Sequence, residues 1–170
     1  MTGQSTDDTR TIMEAWEGEV VSLGGLGVVY KVTGRDSGGA YAIVEHPLQP
    51  GALAAPPHTH AREDELSIVL EGEVGVQIGD EVYSAGPGTY IRKPRGVPHT
   101  FWNATDRPAR LIEIISPAGF EGYFRDAAEL LATGGPPDLG ALMEVAGRYG
   151  LTLHLERVPA VMAAHKVALL

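Results

Sequence analysis

The segment Pro56–Gly72, PPHTHAREDELSIVLEG, places two histidines one residue apart, ahead of an acidic cluster and an apolar run that ends on glycine. Side chains alternate between the two faces of a β-strand, so His58 and His60 point to the same side. Burying two imidazoles with the carboxylate of Glu65 is costly unless a cation offsets the lost hydration. The segment therefore predicts a metal site at the start of a core strand. Taken alone, it also allows the two histidines to lie in a surface loop.

A second segment, GPGTYIRKPRGVPHTFWN, makes the metal site the favoured interpretation. The first segment reads H-x-H-x4-E-x6-G from His58 to Gly72, and the second reads G-x5-P-x-G-x2-H-x3-N from Gly88 to Asn103. The two patterns resemble the two motifs of the cupin superfamily at every fixed position. The resemblance implies an all-β fold, a double-stranded β-helix or jelly-roll barrel, with C-terminal helices packed outside it.

The same resemblance implies that His58, His60, Glu65 and His99 bind one divalent transition metal, with Glu65 also the catalytic residue. Three imidazoles and one carboxylate suit Zn, Ni, Fe, Mn, Co or Cu, and the sequence does not choose among them. Glu63 and Asp64 are expected to be solvated, although either could replace Glu65 if the strand register slipped by one residue.

The strand pattern agrees with a barrel. Eight segments rich in β-branched and aromatic residues are bounded by turn formers, and they are VVYKVTG, AYAIVEH, LSIVLEG, VGVQIGD, EVYSAG, TYIRKP, HTFWNAT and ARLIEIIS. Gly79-Asp80 predicts a hairpin turn. We therefore expect a flexible N-terminus over residues 1–15 and a barrel over residues 16–117.

Residues 118–170 are expected to form a helical extension and tail of the same domain. Apolar residues recur at helical spacing in GFEGYFRDAAELLATGG and again in PPDLGALMEVAGRYG, where Asp138 is the expected N-cap and Gly150 the stop. The tail LTLHLERVPA could add an edge strand or run over the surface.

Composition excludes several classes of partner. A formal net charge of -9 disfavours nucleic acid and anionic membranes, and no apolar run approaches the roughly 18 residues of a membrane span. Because the chain has no cysteine, a metal must rest on histidine and carboxylate. A cytoplasmic location is expected.

The substrate pocket is less well defined. Alternation from His99 points Phe101 inward, and Tyr90 and Arg92 lie on the strand that leads to Pro94, so these three are the candidate pocket residues. Arg92 could pair with an acidic substrate. Trp102 faces the other way, beneath a helix or a partner subunit. His46, His154 and His165 are expected to be surface or structural residues.

If Glu65 points inward, then Leu66, Ile68 and Leu70 point outward and present a large apolar area. The N-terminal strands and C-terminal helices could cover it, or a second subunit could. We expect a homodimer.

The segment SPAGFEGYFRDAAELL resembles the C-terminal helix of single-domain cupins similar to quercetin 2,3-dioxygenase. That resemblance implies a metal-dependent dioxygenase acting on a flavonol or a related enolic or aromatic small molecule, with dioxygen as a second substrate. The alternatives are another metal-dependent cupin enzyme, an isomerase or decarboxylase, and a non-catalytic metal-containing protein that binds a small molecule.

Overall fold

A computed structural model describes residues 11–15, 17–132 and 138–169. The strands are β1 (Val20–Leu23), β2 (Leu26–Val32), β3 (Ala42–Leu48), β4 (His58–His60), β5 (Asp64–Glu71), β6 (Val74–Ile78), β7 (Glu81–Ala85), β8 (Tyr90–Lys93), β9 (His99–Trp102), β10 (Ala109–Ser116) and β11 (Leu151–Leu153). The helices are α1 (Glu121–Leu131), α2 (Leu139–Arg148) and α3 (Val158–His165), the last preceded by a 3-10 turn at Leu155–Arg157. All eight predicted strands are present.

Two antiparallel sheets form a β-sandwich, as the predicted barrel requires. One sheet has the order β1-β2-β3-β10-β5-β8, and the other has the order β11-β4-β9-β6-β7. Strands β3 and β5 alternate buried and partly exposed residues along their length. This alternation is the pattern of strands with one face toward a core and the other toward solvent.

Glycine turns set the register of the strands around the site. The β6–β7 hairpin closes through the predicted Gly79-Asp80 turn, with Ile78 paired to Glu81. Gly72 and Gly88 have φ values of 74° and 84°, a region that side chains with a Cβ rarely adopt. At Gly72 a Cβ would also lie 2.6 Å from the carbonyl oxygen of Pro108. Glycine is therefore required at this turn for both reasons.

Helix α1 packs against β1 of the six-stranded sheet, and α2 packs against α1 and against β11 of the other sheet. Phe120 and Phe124 of the α1 region share a core cluster with Val44 and Ile115. Asp138 caps α2 as predicted, because its side chain accepts a hydrogen bond from the backbone N–H of Ala141 at 3.0 Å. The tail, which the sequence left undecided, supplies edge strand β11, paired to β4.

The outer face of the six-stranded sheet carries a continuous apolar row. Ile114 pairs with Leu66, and Ile112 pairs with Ile68. All four side chains are partly exposed, and neighbouring Tyr90 is 69% exposed. Strands β1 and β2 extend the same sheet, and helices α1 and α2 pack in the core cluster of Val44 and Ile115 on its opposite face.

The predicted N-terminal segment, residues 1–15, lies mostly outside the described residues, as do Trp16 and the proline pair before α2. In the part of the chain that the structure describes, no helix is both long and apolar enough to cross a membrane.

Candidate metal centre

Three strands bring the four predicted ligands together between the sheets. His58 and His60 lie on β4, and His58 pairs directly with His99 on β9. Glu65 reaches the same point from β5 in the opposite sheet. All four side chains are buried, and one donor atom from each lies within 4.8 Å of the others. Four donors this close could surround a single ion.

Backbone carbonyls hold two of the imidazoles in one tautomer. His58 Nδ1 lies 2.7 Å from the carbonyl oxygen of Pro56, and His99 Nδ1 lies 3.1 Å from that of Val97. A carbonyl can only accept, so each Nδ1 carries the proton and each Nε2 presents a lone pair. This is the arrangement in which a histidine binds a metal through Nε2.

The remaining contacts also fit a cation. Glu65 places one oxygen 3.1 Å from His99 Nε2 and the other 3.4 Å from His60 Nε2. Both ring nitrogens of His60 are buried without a hydrogen-bond partner. Leaving such atoms unpaired is costly, and an ion at the centre would satisfy the nitrogen that faces Glu65. The residues therefore fit a divalent metal of the predicted group.

Burial favours the neutral form of His58 and His99, which is the form that metals require. The pKa of His58 lies well below its ordinary value, mainly because of burial and also because of the nearby His99 and His60. Burial likewise lowers the pKa of His99, although Glu65 partly opposes the shift.

A buried charge network supports Glu65 from behind. Lys93 Nζ lies 3.0 Å from a Glu65 oxygen and 2.6 Å from a Glu113 oxygen, and it is only 1% exposed. Ser67 donates a hydrogen bond of 2.9 Å to the same Glu113 oxygen. The network fixes the orientation of the Glu65 carboxylate. If Lys93 moved away from Glu65 or Glu113, it would leave a buried charge without a partner, which is costly.

The pKa values in this network follow from burial and from Lys93. Burial acts to raise the pKa of Glu65, but Lys93, His60 and His99 hold it well below its ordinary value. Burial raises the pKa of Glu113 to about 7, although Lys93 favours its ionised form. Burial also acts to lower the pKa of Lys93, but Glu113 and Glu65 outweigh this effect and the pKa is raised. Lys93 therefore carries the positive charge of the network.

Aromatic rings contact His60 of the cluster and Lys93 of the supporting charge network. The Phe120 ring centroid lies 4.3 Å from that of His60, and Lys93 lies 5.0 Å above the Phe101 ring. His46, buried and hydrogen-bonded to the Gly27 carbonyl, packs between Phe101 and Phe124. Phe101 therefore points inward, as the sequence predicts, and His46 has the structural role expected of it.

The prediction that Tyr90 and Arg92 line the interior is wrong. Both are exposed on the outer face, and the inward residues of β8 are Ile91 and Lys93. The reason is the pairing of β8 with β5, in which Lys93 lies opposite Glu65. Paired residues share a face, so Arg92 must point away from the site.

The remaining predictions concern Trp102, His154 and His165, which lie away from the four donors. Trp102 lies beneath a helix, as predicted, because it stacks on His165 of α3 with 3.9 Å between ring centroids. His154 lies 2.8 Å from the Thr59 hydroxyl through its Nε2. Both histidines have structural contacts and lie outside the cluster.

Sequence reasoning missed three buried charged residues near the site: Glu63, Lys93 and Glu113. Glu63 was expected to be solvated but is 4% exposed. Glu113 shares the inward parity of Leu111 and Ile115 within an apolar run, so its burial was readable from the sequence. The segment TYIRKP alone does not show whether Lys93 or Arg92 points inward. That choice depends on the register between β5 and β8.

Comparison with known proteins places the fold. A family model for the cupin domain matches residues 44–115. No curated protein sequence shows a significant match. The chain is similar to KdgF from Halomonas sp. (18% identity, TM-score 0.59, covering 66% of this chain and 98% of that one). It is also similar to an RmlC-like cupin from Shewanella frigidimarina NCIMB 400 (21% identity, TM-score 0.55, covering 66% of this chain and 96% of that one).

A sugar phosphate isomerase of the cupin superfamily from Silicibacter pomeroyi DSS-3 is similar at 26% identity, with a TM-score of 0.49 over 54% of this chain. The chain spans 59% of that isomerase's length. The two similarities below 25% identity show a shared fold, which agrees with the matched domain and with the sandwich built around the histidine cluster. Residues 44–115, which include all four residues of the histidine–glutamate cluster, match the cupin domain.

Proposed function

We propose that this protein is a metal-dependent cupin enzyme, a quercetinase-like dioxygenase acting on a flavonol or a related enolic or aromatic small molecule. The observation that carries the metal-dependent part is the buried set of three histidines and one glutamate whose donor atoms lie within 4.8 Å of one another. The aromatic rings of Phe101 and Phe120 beside this cluster favour a flat, apolar substrate.

The side chains of the site have separate roles in this proposal. A divalent metal bound here would supply a Lewis acid for an enolic or phenolic oxygen of the substrate. Glu65 accepts the proton of that hydroxyl, and Lys93 at 3.0 Å keeps Glu65 ionised and correctly turned. Phe101 and Phe120 limit the access of water. The deprotonated, electron-rich ring is then the reactant for dioxygen.

The test is oxygen consumption with a panel of flavonols, using protein loaded separately with Ni, Co, Mn or Fe. We expect at least one pairing to consume oxygen and cleave the ring, and we expect metal-free protein to be inactive. No turnover with any pairing would remove the dioxygenase assignment. Turnover of an enolic or keto-acid substrate without oxygen would instead favour the isomerase or decarboxylase alternative.

We also propose that a second copy of the chain covers the apolar row on the outer face, giving a homodimer. A charged residue at Ile68 or Ile112 would be buried unpaired in that interface, so Ile68→Asp and Ile112→Asp are expected to give monomers. Sedimentation equilibrium measures the mass. The control is Val82→Asp, since Val82 is 50% exposed on the other sheet, and it should leave the dimer intact. Wild-type protein sedimenting at 18.0 kDa would contradict the proposal.

A further inference from the structure

The three histidines of the cluster differ in the group that lies next to ring nitrogen Nδ1. For His58 and His99 it is a backbone carbonyl, at 2.7 and 3.1 Å. For His60 it is a carboxylate, because Glu63 Oε2 lies 3.5 Å from His60 Nδ1. Glu63 is on the opposite side of the ring from Glu65, which faces Nε2. Glu63 is therefore placed to act on His60 rather than to join the four donors.

Both atoms of this pair are buried and unpartnered. His60 Nδ1 and Glu63 Oε2 have no hydrogen-bond partner, and the Glu63 side chain is 5% exposed. A movement of a few tenths of an ångström would bring them to an ordinary hydrogen-bond distance of about 3.0 Å. Leaving a buried carboxylate oxygen without a hydrogen bond is costly, and a proton donor at His60 Nδ1 would remove that cost.

The backbone around Glu63 holds it in this position. The chain bends between β4 and β5, and the bend is tied down on both sides. The N–H of Ala61 donates to the Gly150 carbonyl at 3.0 Å. Asp64 accepts hydrogen bonds from the backbone and side chain of Arg95. Glu63 lies between these two anchors, with its Oε2 3.5 Å from His60 Nδ1.

We propose that Glu63 is the positioning residue for His60, accepting its Nδ1–H and thereby setting the affinity of the centre for its metal. This inference rests on the proposed metal centre. A cation on Nε2 makes the imidazole a stronger donor at Nδ1, and the Glu63 charge then gains a partner it lacks without metal. Carboxylate partners of this kind orient metal-binding histidines and raise their affinity for the ion.

The test compares Glu63→Ala and Glu63→Gln with wild type in two measurements. Competition with a chromophoric chelator gives the Kd for Zn and for Co, and thermal unfolding gives the stability of the metal-free protein. We expect Glu63→Ala to weaken metal binding about 10–100-fold, with Glu63→Gln between it and wild type because the amide oxygen still accepts. Glu81→Gln, an exposed change of the same charge, is the control and should leave Kd unchanged.

The metal-free measurement separates positioning from a structural role. Because Glu63 Oε2 is buried without a hydrogen bond in the absence of metal, both variants should be at least as stable as metal-free wild type, while binding metal more weakly. Metal-free variants that are less stable, or unchanged Kd values, would overturn the inference. If wild type itself bound no metal, the proposed metal centre would fail instead, so the two failures are distinguishable.

Discussion

Lys93→Met is expected to lower the free energy of unfolding by about 3–5 kcal/mol, as removal of one member of a buried ion pair does. The change removes the cation that pairs with both Glu65 and Glu113, at 3.0 and 2.6 Å, in a region that water does not reach. Methionine fills a similar volume, so lost packing is a minor part of the effect. Denaturant unfolding of the metal-free protein measures it.

Two further variants make this result specific to the network. Arg92→Met, one residue away but exposed, should change stability by less than about 0.5 kcal/mol. The double variant Lys93→Met/Glu113→Gln should be less destabilised than the two single changes added together, because the second change removes a charge that the first has stranded. A loss below about 1 kcal/mol for Lys93→Met would contradict the structural account of the network.

Metal is expected to raise the free energy of unfolding by about 4 kcal/mol when its free concentration is about 1,000 times its Kd. The folded protein presents four converged donors, and the unfolded chain does not. For a chain of this length the change corresponds to an increase in Tm of roughly 8–16 °C. Differential scanning calorimetry with and without metal measures it.

His99→Ala should remove most of this increase, because it deletes the donor that β9 contributes opposite His58. The matched control is His165→Ala, which deletes an imidazole that stacks on Trp102 outside the cluster. That control should keep the full response to metal. Equal responses in the two variants would show that the ion binds elsewhere.

The four donors could be predicted from the sequence because they stand at the fixed positions of two segments that resemble the cupin motifs, and the two-residue period of a strand agrees with placing His58 and His60 on one side. His58, His60 and His99 stand at fixed offsets from turn-forming glycines and prolines, and Glu65 shares the inward parity of its strand. The eight predicted strands could be recognised because turn formers bound segments rich in β-branched and aromatic residues, whereas β1, of four residues, was not among them. Short strands such as β4 and β11 carry too few residues for a period to show, and they form because longer neighbours offer them an edge.

The positions of Lys93 and Glu63 could not be predicted, because they depend on pairing between distant strands and on irregular backbone. The inward placement of Lys93 instead of Arg92 follows from its position opposite Glu65. The burial of Glu63 follows from the bend between β4 and β5, where strand alternation no longer applies. The charged residues around the donors therefore depend on tertiary structure, whereas the donors themselves lie in two recognisable sequence segments.

The metal centre is tested most directly by anomalous diffraction from crystals of metal-loaded protein at the absorption edge of the metal. A single strong peak is predicted within about 2.0–2.2 Å of one nitrogen from each of His58, His60 and His99 and of one Glu65 oxygen. A peak at any other place, or no peak in crystals soaked with metal, would contradict the account.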